Sequence, residues 1–262
     1  MKHSMHIKYP LSHRSKEPER SVLYIVGTPI GNLDDISIRS INILKKVSLI
    51  ACEDTRNTGK LLKYLNISNK LISFNQHNAL KRINFLLSQL EKGYSLALVS
   101  DAGMPLISDP GEIIVQKARE HNFDVICIPG PCAAILALVS SGIDTSKFTF
   151  YGFLPKKSNE KNTIMNEISK SSKTSIIYES PKRILKLLIE LKSICGGDRK
   201  VAVLKEMTKR YETYFGDNID NVIKQITNNE EKGEFTMIIS GSNKDNHENL
   251  MSKEDLIIDL QD

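Results

Sequence analysis

Two carboxylates and a guanidinium crowd the five residues Cys52-Glu53-Asp54-Thr55-Arg56. A carboxylate can take the proton of a weak nucleophile, and a nearby cation can stabilise the anion that forms. The same residue types also cap a helix, with Asp54 or Thr55 at the N-cap and a local ion pair. Both readings stand at this point. A second candidate is the twelve-residue run Ser100-Asp101-Ala102-Gly103-Met104-Pro105-Leu106-Ile107-Ser108-Asp109-Pro110-Gly111. Two aspartates, two prolines and small side chains are more than a simple connector needs. Its backbone groups suit a ligand, and Asp101 suits an amine or a hydroxyl. The turn Gly27-Thr28-Pro29-Ile30-Gly31-Asn32-Leu33 lets the backbone approach a ligand closely, although a structural turn would have the same composition. It is neither a dinucleotide fingerprint nor a P-loop. Pro129-Gly130-Pro131-Cys132-Ala133-Ala134 leaves room for a flat ring, with Pro131 suited to a first helical turn.

Other reactive groups point nowhere specific. Cys132 has neither a companion histidine nor a basic cluster to lower its pKa. The histidines at 3, 6, 13, 77, 121 and 247 lack metal-ligand spacing, so no metal site is expected. His77, after Ser73-Phe74-Asn75-Gln76, reads as a structural hydrogen-bonder. Tyr178-Glu179-Ser180-Pro181-Lys182-Arg183 and Lys205-Glu206-Met207-Thr208-Lys209-Arg210 are polar clusters that also suit solvated faces.

These segments need a scaffold, and each directly follows a β-rich run. Strands are expected at 21–26, 48–51, 71–74, 95–99 and 123–128. Helices are expected near 36–47 and at 55–65, 76–92, 111–121 and 131–141. Strands with little alternation, separated by helices, predict a parallel sheet covered on both faces. In such a sheet ligands bind beyond the carboxyl ends of the strands. After a polar hinge at Lys156-Lys157-Ser158-Asn159 the pattern changes. Helices at 160–171, 181–193 and 217–228 alternate with strands at 174–178, 200–205, 211–215 and 235–240. The adjacent strands 200–205 and 211–215 suggest antiparallel pairing and a mixed sheet. The expected fold class is α/β with two domains, 21–152 and 153–245. Residues 1–20 read as a flexible tail, and 246–262 as a tail or short helix.

Composition agrees with a globular chain. The 262 residues are 40% hydrophobic and 26% charged, enough to bury a core. No apolar run reaches a membrane span, and the first twenty residues hold no secretory apolar region. Four cysteines in this length do not make a disulfide framework, so a reducing, cytoplasmic setting is expected. The net charge is +5, all of it in residues 1–150, where 18 basic residues face 13 acidic ones. That permits a polyanionic partner without demanding one.

Taken in order, several segments resemble the signatures of the ribosomal RNA small subunit methyltransferase I family, within the tetrapyrrole methylase superfamily. They are Gly27-Thr28-Pro29-Ile30-Gly31-Asn32-Leu33-Asp34-Asp35-Ile36, Cys52-Glu53-Asp54-Thr55-Arg56, Val99-Ser100-Asp101-Ala102-Gly103, Ile107-Ser108-Asp109-Pro110-Gly111, Ile128-Pro129-Gly130-Pro131, Gly152-Phe153-Leu154-Pro155 and Tyr178-Glu179-Ser180-Pro181. The likeness spans about residues 21–241. It departs from the family at Asn75, Met104 and Cys132, where His, Thr and Ser are usual. Many relatives carry a small extra C-terminal domain, of which residues 251–262 are expected to be only a beginning.

The resemblance implies a tetrapyrrole-methylase-like fold and a homodimer. It implies S-adenosylmethionine held in a cleft between the domains, and 2′-O-methylation of a cytidine ribose in 16S rRNA of the small ribosomal subunit. Carried over position by position, it places the cofactor on Thr28, Pro29, Ile30, Asp101, Ala102, Gly103, Ile107, Ser108, Cys132, Ala133, Glu179, Met207 and Thr236. Glu53, Asp54 and Arg56 form the expected reaction edge. Arg39, Lys45, Lys46, Arg56, Lys60, Lys63, Lys81 and Arg82 are candidates for a basic RNA surface, with Tyr64 and Phe74 as stacking groups. The rival readings are a porphyrinoid methylase and a catalytically silent RNA-binding assembly factor. A nicotinamide dehydrogenase lacks its fingerprint here.

Overall fold

The computed structural model describes residues 16–227 and 232–242. The chain divides into two compact units, Met1–Thr28 with Asp34–Gly130, and Pro29–Leu33 with Pro131–Asp262.

The first unit runs β1 (Val22–Val26), a 3-10 turn (Leu33–Asp35), α1 (Ile38–Lys46), β2 (Leu49–Cys52), α2 (Thr55–Tyr64), β3 (Leu71–Ser73), α3 (Ala79–Glu91), β4 (Leu96–Val99), α4 (Glu112–Glu120) and β5 (Asp124–Ile128). The strands lie in the order β3-β2-β4-β1-β5. Every pairing is parallel. Every residue of β1 and β4 is buried, as helices on both faces require, and this is why those runs show no alternation. Val22, Tyr24 and Val26 pack with Ile43 and Leu44 of α1 and Leu62 of α2. Leu23 and Ile25 pack with Leu86 and Leu90 of α3 and Ile114 of α4. Truncating a side chain as enclosed as Leu90 would cost about 2–5 kcal/mol. Ser37 caps α1 by accepting from the Ser40 N–H, and Lys45 and Lys46 sit favourably at the other end. Parallel strands send all their carboxyl ends, and the loops that follow, to one edge.

The second unit runs α5 (Ala133–Ser140), β6 (Phe148–Phe153), α6 (Ser158–Lys170), β7 (Thr174–Glu179), α7 (Pro181–Cys195), β8 (Lys200–Lys205), β9 (Thr213–Asn218), α8 (Ile219–Thr227) and β10 (Phe235–Ile239). Its sheet is ordered β6-β7-β10-β8-β9. Only β6 and β7 are parallel, so the sheet is mixed, as expected. Alternation is clear here. Val201, Val203, Met237 and Ile239 face α6, α7 and α8, while Ala202, Leu204 and Ile238 face α5.

Several details differ from the sequence reading. The units divide at Gly130/Pro131 rather than at 152/153, so α5 and β6 belong to the second unit. The reason is packing: Ala134, Ala137 and Leu138 of α5 bury against Ile176, Ala202 and Ile238. The run before the hinge is itself a strand, β6, with a bulge between Phe150 and Gly152. β9 starts two residues late and extends to Asn218, because Glu206–Glu212 forms the connection. Residues 16–20, expected to be tail, are tied to the first unit. Glu17 forms a two-fold hydrogen bond with Arg39 at 2.7 and 2.8 Å, and the Glu19 N–H donates to Tyr24 Oη. The rest of the expected tail, the terminal helix and residues 246–262 lie outside the described residues.

Candidate active site

The loops after β1, β2 and β4 interlock at the carboxyl edge of the parallel sheet. Thr28 and Gly103 exchange main-chain hydrogen bonds at 2.9 and 3.0 Å. Thr28 Oγ1 also donates to the Ser100 carbonyl at 3.2 Å. Gly27 and Gly130 lie backbone against backbone, and a Cβ on Gly27 would sit 2.7 Å from the Gly130 Cα. Only glycine permits that approach. The β4 loop is conformationally costly: Gly103, Leu106, Ser108 and Gly111 all have positive φ.

Glu53, Asp54 and Arg56 follow β2, and the structure separates their roles. Asp54 is the N-cap of α2, accepting from the Arg56 N–H at 2.8 Å. The Arg56 guanidinium closes back on the same carboxylate at 2.6 Å. These bonds, the Arg56 side chain first, hold Asp54 down at about 2. The capping reading and the ion-pair reading are therefore both satisfied by one residue pair. Arg56 keeps 85% of its side chain exposed, so the pair faces solvent.

Asp101 ties the two loops together. Its Oδ1 accepts from the Asp54 main-chain N–H at 3.2 Å, and its Oδ2 from Asn57 Nδ2 at 2.7 Å. The resulting neighbourhood is anionic. Burial, and then the charge of Asp101, raises the pKa of Glu53, while the Asp101 N–H opposes the shift. Burial, and then the charge of Glu53, raises Asp109 to about 6, against a hydrogen bond from Ser100. A carboxyl at about 6, as at Asp109, can hold or accept a proton near neutral pH. Burial likewise raises the Cys52 thiol, which suits a core residue rather than a nucleophile.

Two participants had no assigned role in the sequence reading. Asn57 stands three residues after the capping Asp54, in the first helical turn, and that offset was the available signal. Asp109 was visible as a second acid in the long loop, but nothing in the sequence placed it near Glu53. Among the described residues, no group of His, Cys, Asp and Glu is arranged to hold a metal ion.

In the second unit, Cys132, Met207, Phe150 and Tyr178 pack at the α5 face of the mixed sheet. The Tyr178 hydroxyl accepts from the Ala134 N–H at 3.0 Å, just after Ala133. Thr236 is paired with Tyr178 and Leu204, on that same face. The turn from Pro29 to Leu33 is fastened to the β8–β9 loop, with the Asn32 N–H donating to Thr208 Oγ1 at 3.1 Å and Gly31 against the Lys209 stem. Glu206 and Thr208 flank Met207 with positive φ. Glu179 does not join this group. One residue beyond Tyr178, it faces the opposite side of the sheet, where Arg183 and the Ser180 N–H engage its carboxylate.

The expected basic surface is divided. Arg39 is bound by Glu17. Lys45, Lys46, Lys60 and Lys63 are exposed on α1 and α2, which cover one face of the sheet, and Lys81 and Arg82 are exposed on α3, which covers the other. Phe74 is buried in the core and cannot stack on a base, whereas Tyr64 is exposed.

Comparison with known proteins gives a consistent picture. The family of Tetrapyrrole (Corrin/Porphyrin) Methylases matches residues 22–223. Ribosomal RNA small subunit methyltransferase I of Vibrio cholerae is 46% identical over 222 residues, covering 84% of this chain and 77% of that one. The Escherichia coli O157:H7 protein of the same name is 41% identical over 231 residues, covering 87% and 81%. Among solved structures, diphthine synthase superposes with a TM-score of 0.62 at 14% identity, covering 84% of this chain and 90% of its own. Uroporphyrin-III-C-methyltransferase from Thermus thermophilus gives 0.60 at 14% identity, covering 84% and 94%. At that identity these two show the shared fold alone.

Proposed function

The chain belongs to the tetrapyrrole methylase family and, within it, to the ribosomal RNA small subunit methyltransferase I group, and on that premise we propose that it transfers a methyl group from S-adenosylmethionine to the ribose 2′-hydroxyl of a cytidine in 16S rRNA. The observation that carries this reading is the meeting of the β1, β2 and β4 loops, each bearing a segment that resembles that group, at one carboxylate-rich edge.

The methyl donor brings its own leaving group, so the protein's work is alignment and management of one proton. The loops are suited to alignment. Main-chain groups of Thr28, Ala102 and Gly103 lie in a rigid, glycine-dependent frame, and Asp101 is oriented by Asn57. We assign the cofactor to Thr28, Asp101, Ala102, Gly103, Ile107 and Ser108 of the first unit and to Pro29, Ile30, Cys132, Ala133, Met207 and Thr236 of the second. Glu179 is withdrawn from that set because its carboxylate is committed to Arg183.

A ribose hydroxyl is neutral and weakly nucleophilic at pH 7. Glu53 is the better base at the reaction edge, because its pKa is raised towards the working pH. Asp109, at about 6, is poised to take the proton onward. Asp54 is held too low to serve as a base, and instead orients Arg56, whose guanidinium is placed to steady developing negative charge. The chain acts as a homodimer in this reading, which the exposed apolar side chains of Ile135, Leu136 and Val139 support. It acts in the cytoplasm, where its substrate is. No helix among the described residues is long and apolar enough to cross a membrane.

The test maps ribose methylation on 16S rRNA of small subunits that lack the mark, incubated with the protein and S-adenosylmethionine. One new methylated cytidine is expected. A porphyrinoid methylated while the subunit stays unmarked would favour the tetrapyrrole reading. Absence of saturable S-adenosylmethionine binding in calorimetry would favour a silent assembly factor. Sedimentation at the 29.5 kDa monomer mass would remove the dimer.

A further inference from the structure

The second unit holds a site that methyl transfer leaves unused. A cavity of about 180 Å³ is walled by Leu154 and Pro155 after β6, Glu179 at the end of β7, and Arg183 and Lys186 on α7. Two segments singled out in the sequence, Gly152-Phe153-Leu154-Pro155 and Tyr178-Glu179-Ser180-Pro181, thus meet here, and the chemistry above gives neither a role at this place.

The charges of the cavity are unequal. Four cations, Lys156, Lys161, Arg183 and Lys186, line it with two carboxylates, Glu179 and Glu190. Both carboxylates are already engaged. Glu179, 5% exposed, binds Arg183 at 2.7 Å and accepts from the Ser180 N–H at 2.6 Å. Glu190 binds Lys161 at 2.6 Å. Lys156 and Lys186 form no ion pair or hydrogen bond among the described residues. The engaged pairs fix the walls, and the two free ammonium groups leave a net positive cavity. Ser180, the N-cap of the fifteen-residue α7, makes no side-chain cap, so the positive end of that helix adds to the field.

Such a cavity suits a compact anion with several acceptor oxygens, because two ammonium groups and the unused guanidinium N–H groups can all donate to it. S-adenosylmethionine carries no phosphate, whereas an RNA strand carries one at every nucleotide. We infer that this cavity clasps a backbone phosphate of the RNA substrate and so fixes the strand on the second unit. The inference rests on the reading that the chain methylates ribosomal RNA.

The experiment compares the full chain with Lys156→Ala/Lys186→Ala and with the charge-keeping Lys156→Arg/Lys186→Arg. Binding of a 16S rRNA transcript is measured between 50 and 200 mM salt. For the alanine pair, affinity should fall roughly ten-fold and the logarithmic salt slope by about 1, with the arginine pair close to the unaltered chain. On small subunits the alanine pair should raise KM and leave kcat and S-adenosylmethionine affinity unchanged. Both lysines are exposed, so the fold should persist, as circular dichroism can verify. Unchanged affinity and slope in the alanine pair would overturn the inference, as would an arginine pair as weak as the alanine pair. Failure of the unaltered chain to methylate subunits would instead strike the proposed function, so the two failures are distinguishable.

Discussion

Asp101 accepts a 2.7 Å hydrogen bond from Asn57, and this contact joins the loop after β4 to the first turn of the helix after β2. With the Asp54 N–H on its other oxygen, Asp101 has both carboxylate oxygens fixed by one helix N-terminus. Its charge is therefore held beside Glu53 and Asp109, and it raises the pKa of both.

Asp101→Asn should remove that repulsion and move the acidic limb of the methylation pH profile to lower pH. The sign follows from the charge: without a neighbouring anion, the base loses its proton more easily. The rate at high pH should also drop about ten-fold or more, because the carboxylate orients the loop we assign to the cofactor. An unshifted acidic limb would separate Asp101 from the titrating base.

Arg56→Ala should lower the methylation rate by on the order of 10²-fold, comparable to the loss of one donor to a developing anion. Its side chain is 85% exposed and its ion pair with Asp54 faces solvent, so the melting temperature should change little. Asp54→Ala should lower the melting temperature as well, since it also removes the helix cap. Full methylation by both variants, with intact cofactor binding, would take this pair out of the chemistry.

Asp109→Asn should stabilise the fold at pH 7.5. The native carboxyl titrates at about 6, above its ordinary 3.8, so the folded state binds more protons between those values. Stability is therefore lost as pH rises through that window, and the penalty is complete above it. Half-exposure screens much of the effect, which leaves about 1 kcal/mol for the variant to recover at pH 7.5. Urea unfolding at pH 7.5 and at pH 3.5 should show the gain only at the higher value.

Gly27→Ala should destabilise by about 1–3 kcal/mol, because its Cβ meets the Gly130 backbone and Met104 Sδ, both at 2.7 Å. The backbone contact cannot yield as a side chain can. Urea midpoints will measure the loss, and S-adenosylmethionine affinity should fall with it, since Thr28 is the next residue.

The strands and helices of both units were legible because their apolar runs follow the periods of 2 and 3.6, and because Gly, Pro and Asp mark where they stop. β6 was not, since its half-buried Phe-Thr-Phe-Tyr-Gly-Phe run reads as the approach to a hinge, and its pairing with β7 is a tertiary event. The boundary moved for a similar reason: α5 is apolar on nearly every side, and periodicity alone does not tell which sheet it covers.

By itself the sequence determined the parallel sheet, the loops at its carboxyl edge, and the residue types those loops bring there. These are local properties, written in spacing and composition. Only the tertiary structure decided that Asp54 serves as a cap while the half-buried Glu53 and Asp109 share a field of like charge, and that Glu179 turns away from Thr236 to hold Arg183. Those outcomes depend on which loops approach one another and on strand register, where one residue's offset sends a side chain to the other face of the sheet.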